Sequence, residues 1–327
     1  MDCLLDKNTR VGEWVYRELG VVVGLVEDFL RSDSYPVNEL CKQVFKYQGK
    51  LLRPSLLLLS WQLAKNKFIE TPQHVRVMAG VFELIHLATL VHDDVLDEAD
   101  LRRGGQTINF LEGNEAAVIF GDYLLSSAYH LCSSVGDPEL NRLLGCITTG
   151  VCVGEVSQLY SRNNVDLSAE DYYKIIENKT GVLIGGCCSV GGMLGGANRE
   201  RCEALGVFGN SVGLAFQIRD DILDLLCEEG EIGKPVGGDI QKGKMTLPLI
   251  LLLKQNPDLR GVVVEAFCSG DRGVLKQLVR DKQVDMCCFK EINTLIDRGV
   301  GEISGCFGVK ASETLCLLAN KLRRTVV

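Results

Sequence analysis

The sequence predicts an all-α chain of a dozen or so helices. Apolar residues recur at three- and four-residue spacing through most of its length, as at Val81, Leu84, Ile85, Ala88, Val91 and Val95, which is one stripe of a 3.6-residue period. Proline occurs seven times in 327 residues, too rarely to interrupt many helices. No proline-rich or serine-rich linker divides the chain, so a single domain, 1–327, is expected.

Turn-forming clusters set the helix ends in order. Breaks are expected near Ser32–Pro36, Arg103–Thr107, Gly136–Pro138, Asn163–Ala169, Ala197–Glu200, Glu228–Lys244 and Asn256–Arg260. Pro54 fits the first turn of the helix that follows GKLLRP, where a missing N–H costs nothing. Thirty-five glycines are present, many inside the helical pattern, as in GVLIGGCCSVGGMLGG from Gly181 to Gly196. Each interior Gly costs about 1 kcal/mol of helix propensity against Ala. Close helix approach, or a ligand against the backbone, is the expected return.

Net charge is −8 with a pI near 5.2, which leaves no broad basic footprint for nucleic acid. Phosphate chemistry would have to rest on local cations. The fourteen cysteines lie mostly in apolar segments, with Cys187-Cys188 and Cys287-Cys288 adjacent and no CxxC spacing beside histidines. They read as reduced core residues of a cytoplasmic protein. MDCLLDKNTR has no basic region followed by an apolar one, and contiguous apolar runs such as Leu247–Leu253 are too short to span a bilayer.

The strongest signal is a repeated acid pattern. LVHDDVLDEADLRRGG, Leu90–Gly105, carries DDVLD, and FQIRDDILDLL repeats the spacing at Asp220, Asp221 and Asp224. Residues four apart share a helix face, so Asp93 pairs with Asp97 and Asp220 with Asp224. His86 falls on the Asp93 face, and Gly213 and Gln217 continue the line of Asp220 and Asp224. Like charges so spaced repel by a few tenths of a kcal/mol, and a bound cation offsets the repulsion. All-carboxylate donors suit a hard ion such as Mg²⁺, whose octahedron waters and substrate phosphates complete. A solvated acidic face explains one such motif adequately and two far less well.

Basic groups accompany both motifs. GKLLRP sets Lys50 and Arg53 three apart, expected on one helical face; Arg102 and Arg103 follow the first motif; Lys179 and Thr180 stand in ENKTG; Lys234, Lys242 and Lys244 stand in GKPVGGDIQKGKMTLP. Arginine forks grip phosphate oxygens in pairs, and lysine is a mobile point charge. Glu155 and Gln158 in GEVSQL read equally well as site-lining or as a polar helix contact.

GKLLRP, LIHLATLVHDDVLDEADLRRG, GEVSQL, ENKTG, FQIRDDILD and GKPVGGDIQKGKMTLP stand in an order and spacing that resemble the trans-isoprenyl, or polyprenyl, diphosphate synthases over roughly Gln43–Leu253. The resemblance implies the isoprenoid synthase fold, an antiparallel helix bundle around a central deep cavity, with both acid motifs at its mouth. It implies three Mg²⁺ ions held by Asp93, Asp97, Asp220 and Asp224, with Asp94 and Asp221 in supporting roles. Arg102, Lys179, Lys234 and Lys244 would hold the allylic diphosphate, and Lys50, Arg53, His86 and Arg103 isopentenyl diphosphate. Thr180 and Gln217, with Lys179, would act at the reacting carbons. The likeness further implies a homodimer, transient membrane association through an oily product, and no protein nucleophile.

Product length should depend on residues N-terminal to Asp93. Thr89 and Ala88 stand about 6 and 7.5 Å back along the helix, and both are small. ATLVHDD resembles the long-chain synthases, of which octaprenyl enzymes are an example, with Leu125 or Tyr129 as deeper limits. A geranylgeranyl synthase, a terpene cyclase and a non-catalytic subunit of a heteromeric synthase are the competing expectations.

Overall fold

The computed structural model describes residues 5–6, 9–46, 49–67, 69–228 and 236–323. Sixteen α-helices lie within them, more than the dozen anticipated. They are α1 (Arg10–Phe29), α2 (Tyr35–Phe45), α3 (Leu52–Lys65), α4 (Gln73–Leu96), α5 (Ile108–Glu112), α6 (Asn114–Ser133), α7 (Pro138–Tyr160) and α8 (Ala169–Ile176). After them come α9 (Val182–Leu194), α10 (Arg199–Leu226), α11 (Gly238–Gln241), α12 (Leu247–Gln255), α13 (Arg260–Ser269), α14 (Arg272–Asp281), α15 (Val284–Phe307) and α16 (Val309–Asn320).

Six of the seven expected breaks coincide with junctions between helices, whereas Glu228–Lys244 holds the short α11 and in part lies outside the described residues. Extra breaks come at left-handed residues the pattern did not flag, Leu51, Asn66, Gly113, Gly270, Gln283 and Gly308, and at the π turn Glu177–Gly181. At Gly270-Asp271 the signal was present. Glycine closes α13 with φ 75°, and Asp271 caps α14 by accepting from Val274 N–H at 3.1 Å. The only strands among the described residues are Leu101–Arg102 and Gly105–Gln106, joined as a hairpin with positive φ at Arg103 and Gly104. Two left-handed central residues match the twist of paired strands.

By its internal contacts the chain forms two compact units. The first comprises residues up to Thr148, with Gly186–Gly206 and Ile303–Leu318. Its centre is α4, where Phe82, Leu84 and Val81 are fully buried. Against α4 packs α1: Val26 stands 2.7 Å from where a Cβ on Gly80 would lie, and Arg76 donates to the buried Glu18 at 2.7 Å. The glycine run behaves as anticipated, because added Cβ atoms at Gly191 and Gly195 would each stand 2.4 Å from atoms of α3, the Leu57 carbonyl and the Ala64 methyl.

The second unit comprises Thr149–Gly185, Val207–Glu302 and the residues from Ala319 onward. Its core gathers Phe208, Ile218 and Ile222 of α10 with Leu252, Val279 and Ile292. Of the described cysteines, Cys41, Cys132, Cys187, Cys188, Cys227 and Cys288 are buried, and all are free thiols. Burial pushes the Cys188 thiol up to about 12, in line with inert core residues.

One expectation is corrected. Although no contiguous run is long enough, α4 and α7 each meet the length and composition needed to cross a bilayer. Most of that α4 segment is buried, as in a core helix, but only 22% of the α7 window is.

Candidate active site

In the first unit α4 ends at the first acid motif. Asp97 is its C-cap, its N–H donating to Asp93 O at 2.8 Å, so Asp93 and Asp97 sit one turn apart. Both stay partly exposed, whereas Asp94 is 1% exposed. Arg102 explains the difference. Its Nε donates to Asp94 Oδ1 at 2.7 Å and its Nη2 approaches the same atom at 2.6 Å. Burial raises the Asp94 pKa, and Arg102 opposes the rise. The motif thus divides by role: the outer pair can meet a ligand, and the middle acid fixes the hairpin arginine.

The hairpin also places Arg103. Its guanidinium lies where a Cβ on Gly49 would be, at 2.6 Å, so the glycine of GKLLRP is a seat for that side chain. Gly49→Ala is expected to leave thermal unfolding nearly unchanged, since the displaced atoms are the tip of a flexible side chain; a melting curve of the variant beside the unaltered chain checks this.

Lys50 requires a correction. Leu51 adopts φ 51° and caps α3, which begins at Leu52, so Lys50 lies outside the helix and does not share a helical face with Arg53. Arg53 and His86 come together through α3 and α4 with Glu83, which sequence reasoning missed. Glu83 is 5% exposed and its Oε2 has no hydrogen-bond partner. Burial raises its pKa, opposed by the charges of Arg53 and Arg103. Burial likewise holds His86 well below its usual range, and Arg53, Arg103 and Arg102 lower it further, so the imidazole is neutral at pH 7. A lone acid in the apolar stretch VFELIHLATL was the signal available for Glu83.

His92, beside Asp93, packs on α6 instead. A Cβ on Gly121 would meet its Nε2 at 2.2 Å. Ala88 is 2% exposed, and the partly exposed Thr89 donates its hydroxyl to His86 O at 2.8 Å. Leu125 is half-buried, and the Tyr129 hydroxyl makes a short hydrogen bond to Thr148 of α7.

In the second unit the same division recurs. Asp221 is 4% exposed and accepts from Tyr172 Oη at 2.6 Å and Gln217 Nε2 at 2.9 Å. Thr180 donates to Gln217 Oε1 at 3.0 Å, so Thr180, Gln217, Asp221 and Tyr172 form one chain of hydrogen bonds. Tyr172, on α8, carried no sequence signal. Asp220 is partly exposed, while Asp224 is 7% exposed and accepts the Asp239 N–H on Oδ2 at 3.1 Å. The Asp224 carbonyl takes Gly237 N–H at 3.0 Å and Arg272 Nε at 3.2 Å; Arg272 also reaches Leu225 O at 3.0 Å and makes a short contact with Cys227 O. The end of α10 is therefore capped by a guanidinium from α14.

ENKTG forms a π turn, Glu177–Gly181, between α8 and α9, a form often found at functional sites. Lys179 within it donates to Glu155 at 2.8 Å and Gln158 at 3.0 Å, so the acid and amide of GEVSQL hold this lysine. Gly154 and Gly213 make room: a Cβ on the first would stand 2.4 Å from Lys179 N, and one on the second 3.0 Å from Gly181 Cα. Lys244 Nζ is 3.8 Å from Asp239 Oδ1. Lys234 lies outside the described residues.

Among the described residues no three His, Cys, Asp or Glu side chains gather into a ready-made metal cage. Paired carboxylates at a helix end still fit a hard divalent ion of the kind that binds through one or two carboxylates and completes its shell with water and substrate phosphate. Oxygen-only donors exclude a preference for soft metals.

The fold is the all-α isoprenoid synthase fold. The structure resembles a decaprenyl diphosphate synthase from Rhodobacter capsulatus, with a TM-score of 0.86 at 27% identity over 96% of this chain and 99% of that one. Residues 35–281 match the polyprenyl synthetase profile, and the chain belongs to the polyprenyl synthetase family. A nonaprenyl diphosphate synthase of Mycobacterium tuberculosis is 39% identical over 236 residues, covering 72% of this chain and 69% of that protein. The heptaprenyl diphosphate synthase component 2 of Bacillus subtilis is 36% identical over 243 residues, covering 74% and 68%. The chain is accordingly a prenyltransferase.

Proposed function

We propose that this chain, as one domain over 1–327, is a cytoplasmic, homodimeric long-chain polyprenyl diphosphate synthase that condenses isopentenyl diphosphate with an allylic primer into an all-trans product. The observation that carries the reading is the split within each acid motif. Asp94 and Asp221 are buried on protein partners, which leaves Asp93, Asp97 and Asp220 partly exposed and Asp224 held by a backbone N–H.

Those four carboxylates would hold Mg²⁺, in three ions by family likeness, and the ions when bound would supply Lewis-acid assistance to departure of the diphosphate. Lys179, Lys244, Lys234 and Arg102 would bind the allylic diphosphate. Lys179 is pre-aimed by Glu155 and Gln158. Arg53, Arg103, the neutral His86 and the exposed Lys50 would bind isopentenyl diphosphate. Thr180 and Gln217 would turn oxygen dipoles toward the developing allylic cation, a preorganised electrostatic contribution. The proton lost after condensation would pass to the released diphosphate.

The small residues Ala88 and Thr89 support a long product. Ala88→Phe is expected to stop growth at geranylgeranyl length or shorter; unchanged lengths would remove Ala88 as a floor of the cavity. The whole reading is tested by incubating the purified chain with isopentenyl diphosphate, farnesyl diphosphate and Mg²⁺, then separating the dephosphorylated products chromatographically. Products beyond geranylgeranyl are expected. A geranylgeranyl end point would shift the reading to that synthase, and product formed only after a second chain is added would make this chain a subunit of a heteromer, as the wording "component 2" describes for the Bacillus relative.

A further inference from the structure

In the second unit α8 is the short helix that leads into the π turn. Ser168 opens it by accepting the Asp171 N–H at 3.0 Å, and Tyr172, Ile175 and Ile176 form its buried face. Tyr172 is 3% exposed. Its ring lies edge-on to Tyr173 with centroids 5.7 Å apart, and its hydroxyl donates to Asp221 Oδ2 at 2.6 Å. Phenylalanine would fill the same volume without a polar group to satisfy. The hydroxyl therefore needs a use besides packing.

Each oxygen of Asp221 is taken. Oδ2 accepts from Tyr172, and Oδ1 accepts at 2.9 Å from Nε2 of Gln217, one turn earlier on α10. With its nitrogen facing the acid, the Gln217 amide turns its oxygen the other way, where Thr180 donates to it at 3.0 Å. The end torsions of an amide and of a carboxyl group are both loose, with broad two-fold wells, so neither keeps this orientation unaided. The buried phenol is the fixed point. It stands on the same continuous segment as Thr180, since α8 runs directly into the π turn. In the first motif a guanidinium fills this place, Arg102 on Asp94. Here the donor is neutral and brings no positive charge up behind Gln217.

We infer that Tyr172 is a positioning residue for the condensation, acting through Asp221 to keep the oxygen of the Gln217 amide, and not its nitrogen, toward Thr180 and the reacting carbons. The inference rests on the assignment of Gln217 to the allylic cation under the proposed function. An amide reversed end for end presents N–H hydrogens, whose partial positive charge opposes a developing cation; held as it is here, the same group favours one. Tyr172 itself touches neither substrate nor ion in this role. Loss of its hydroxyl therefore leaves binding intact and slows the step in which the cation forms.

Single-turnover rates from farnesyl diphosphate, KM for both substrates and melting curves are measured for the unaltered chain, Tyr172→Phe, Gln217→Ala, the double variant and Tyr173→Phe. Tyr173 serves as the control, because its hydroxyl donates to Glu291 at 3.2 Å instead. Tyr172→Phe is expected to slow the turnover about twentyfold with both KM values within about twofold, and Tyr173→Phe to change neither. In the Gln217→Ala background Tyr172→Phe should slow it no further, because a hydroxyl that acts through Gln217 then has nothing to orient. Equal slowing in both backgrounds, or a Tyr172→Phe rate within about threefold of the unaltered chain, would overturn the inference while the synthase reading stands. So would a Tyr172→Phe chain that does not fold, since the hydroxyl would then serve the fold. Gln217→Ala at the unaltered rate would remove the assignment of Gln217, and this inference with it. An unaltered chain that forms no condensation product would remove the synthase reading itself.

Discussion

Asp93→Asn is expected to lower kcat by about three orders of magnitude, roughly 4 kcal/mol of barrier, while leaving the melting temperature unchanged or slightly higher. On the proposed reading the carboxylate serves a ligand rather than the fold, so the two effects part. Asp93 and Asp97 stand one turn apart at the end of α4, where two like charges repel by a few tenths of a kcal/mol, so neutralising one relieves the helix. An amide keeps the shape but loses the charge that holds a hard cation. Kinetics at saturating substrate and Mg²⁺, with thermal unfolding of the same samples, checks both halves. A loss under tenfold would take Asp93 out of the ion-holding set.

Gly154→Ala should do its damage through the backbone. The new methyl would stand 2.4 Å from Lys179 N and 2.9 Å from the Asn178 carbonyl carbon, neither of which can swing away as the Arg103 tip beside Gly49 can. Overpacking of this kind costs about 1–3 kcal/mol, and either α7 or the π turn must give. If the turn gives, Lys179 leaves Glu155 and Gln158 and kcat/KM for the allylic diphosphate falls by about a hundredfold, some 3 kcal/mol. Denaturant unfolding and primer-dependent kinetics measure the two losses separately. Wild-type stability with wild-type kinetics would show that the contact yields freely.

Much of this site was legible because helix periodicity is rigid. Once FQIRDDILD is helical, Asp220 and Asp224 must share a face, and the glycines of α9 must serve close packing since nothing else offsets their cost. Where periodicity stops, so did foresight. Lys50 was placed on a helix because a leucine at φ 51° leaves no mark in a sequence, unlike a glycine. The π turn left no mark in its own stretch, since its close neighbour is distant in sequence: Gly154, on another helix, leaves room for the Lys179 backbone. Glu83 could have been found as a charge stranded among apolar neighbours. Tyr172 could not, since only folding brings α8 beside Asp221.

Arg272 carries a consequence for biosynthesis. The carbonyls that finish α10 wait for a guanidinium encoded 48 residues after Asp224. During translation, which proceeds at about 5–20 residues per second, the nascent polypeptide can wind α10 before its end is tied down. Ribosome-bound chains halted ahead of codon 272 would therefore hold Asp220 and Asp224 on a fraying terminus. On the proposed reading, competence to hold ions at that end should arrive late in synthesis, once α14 supplies Arg272.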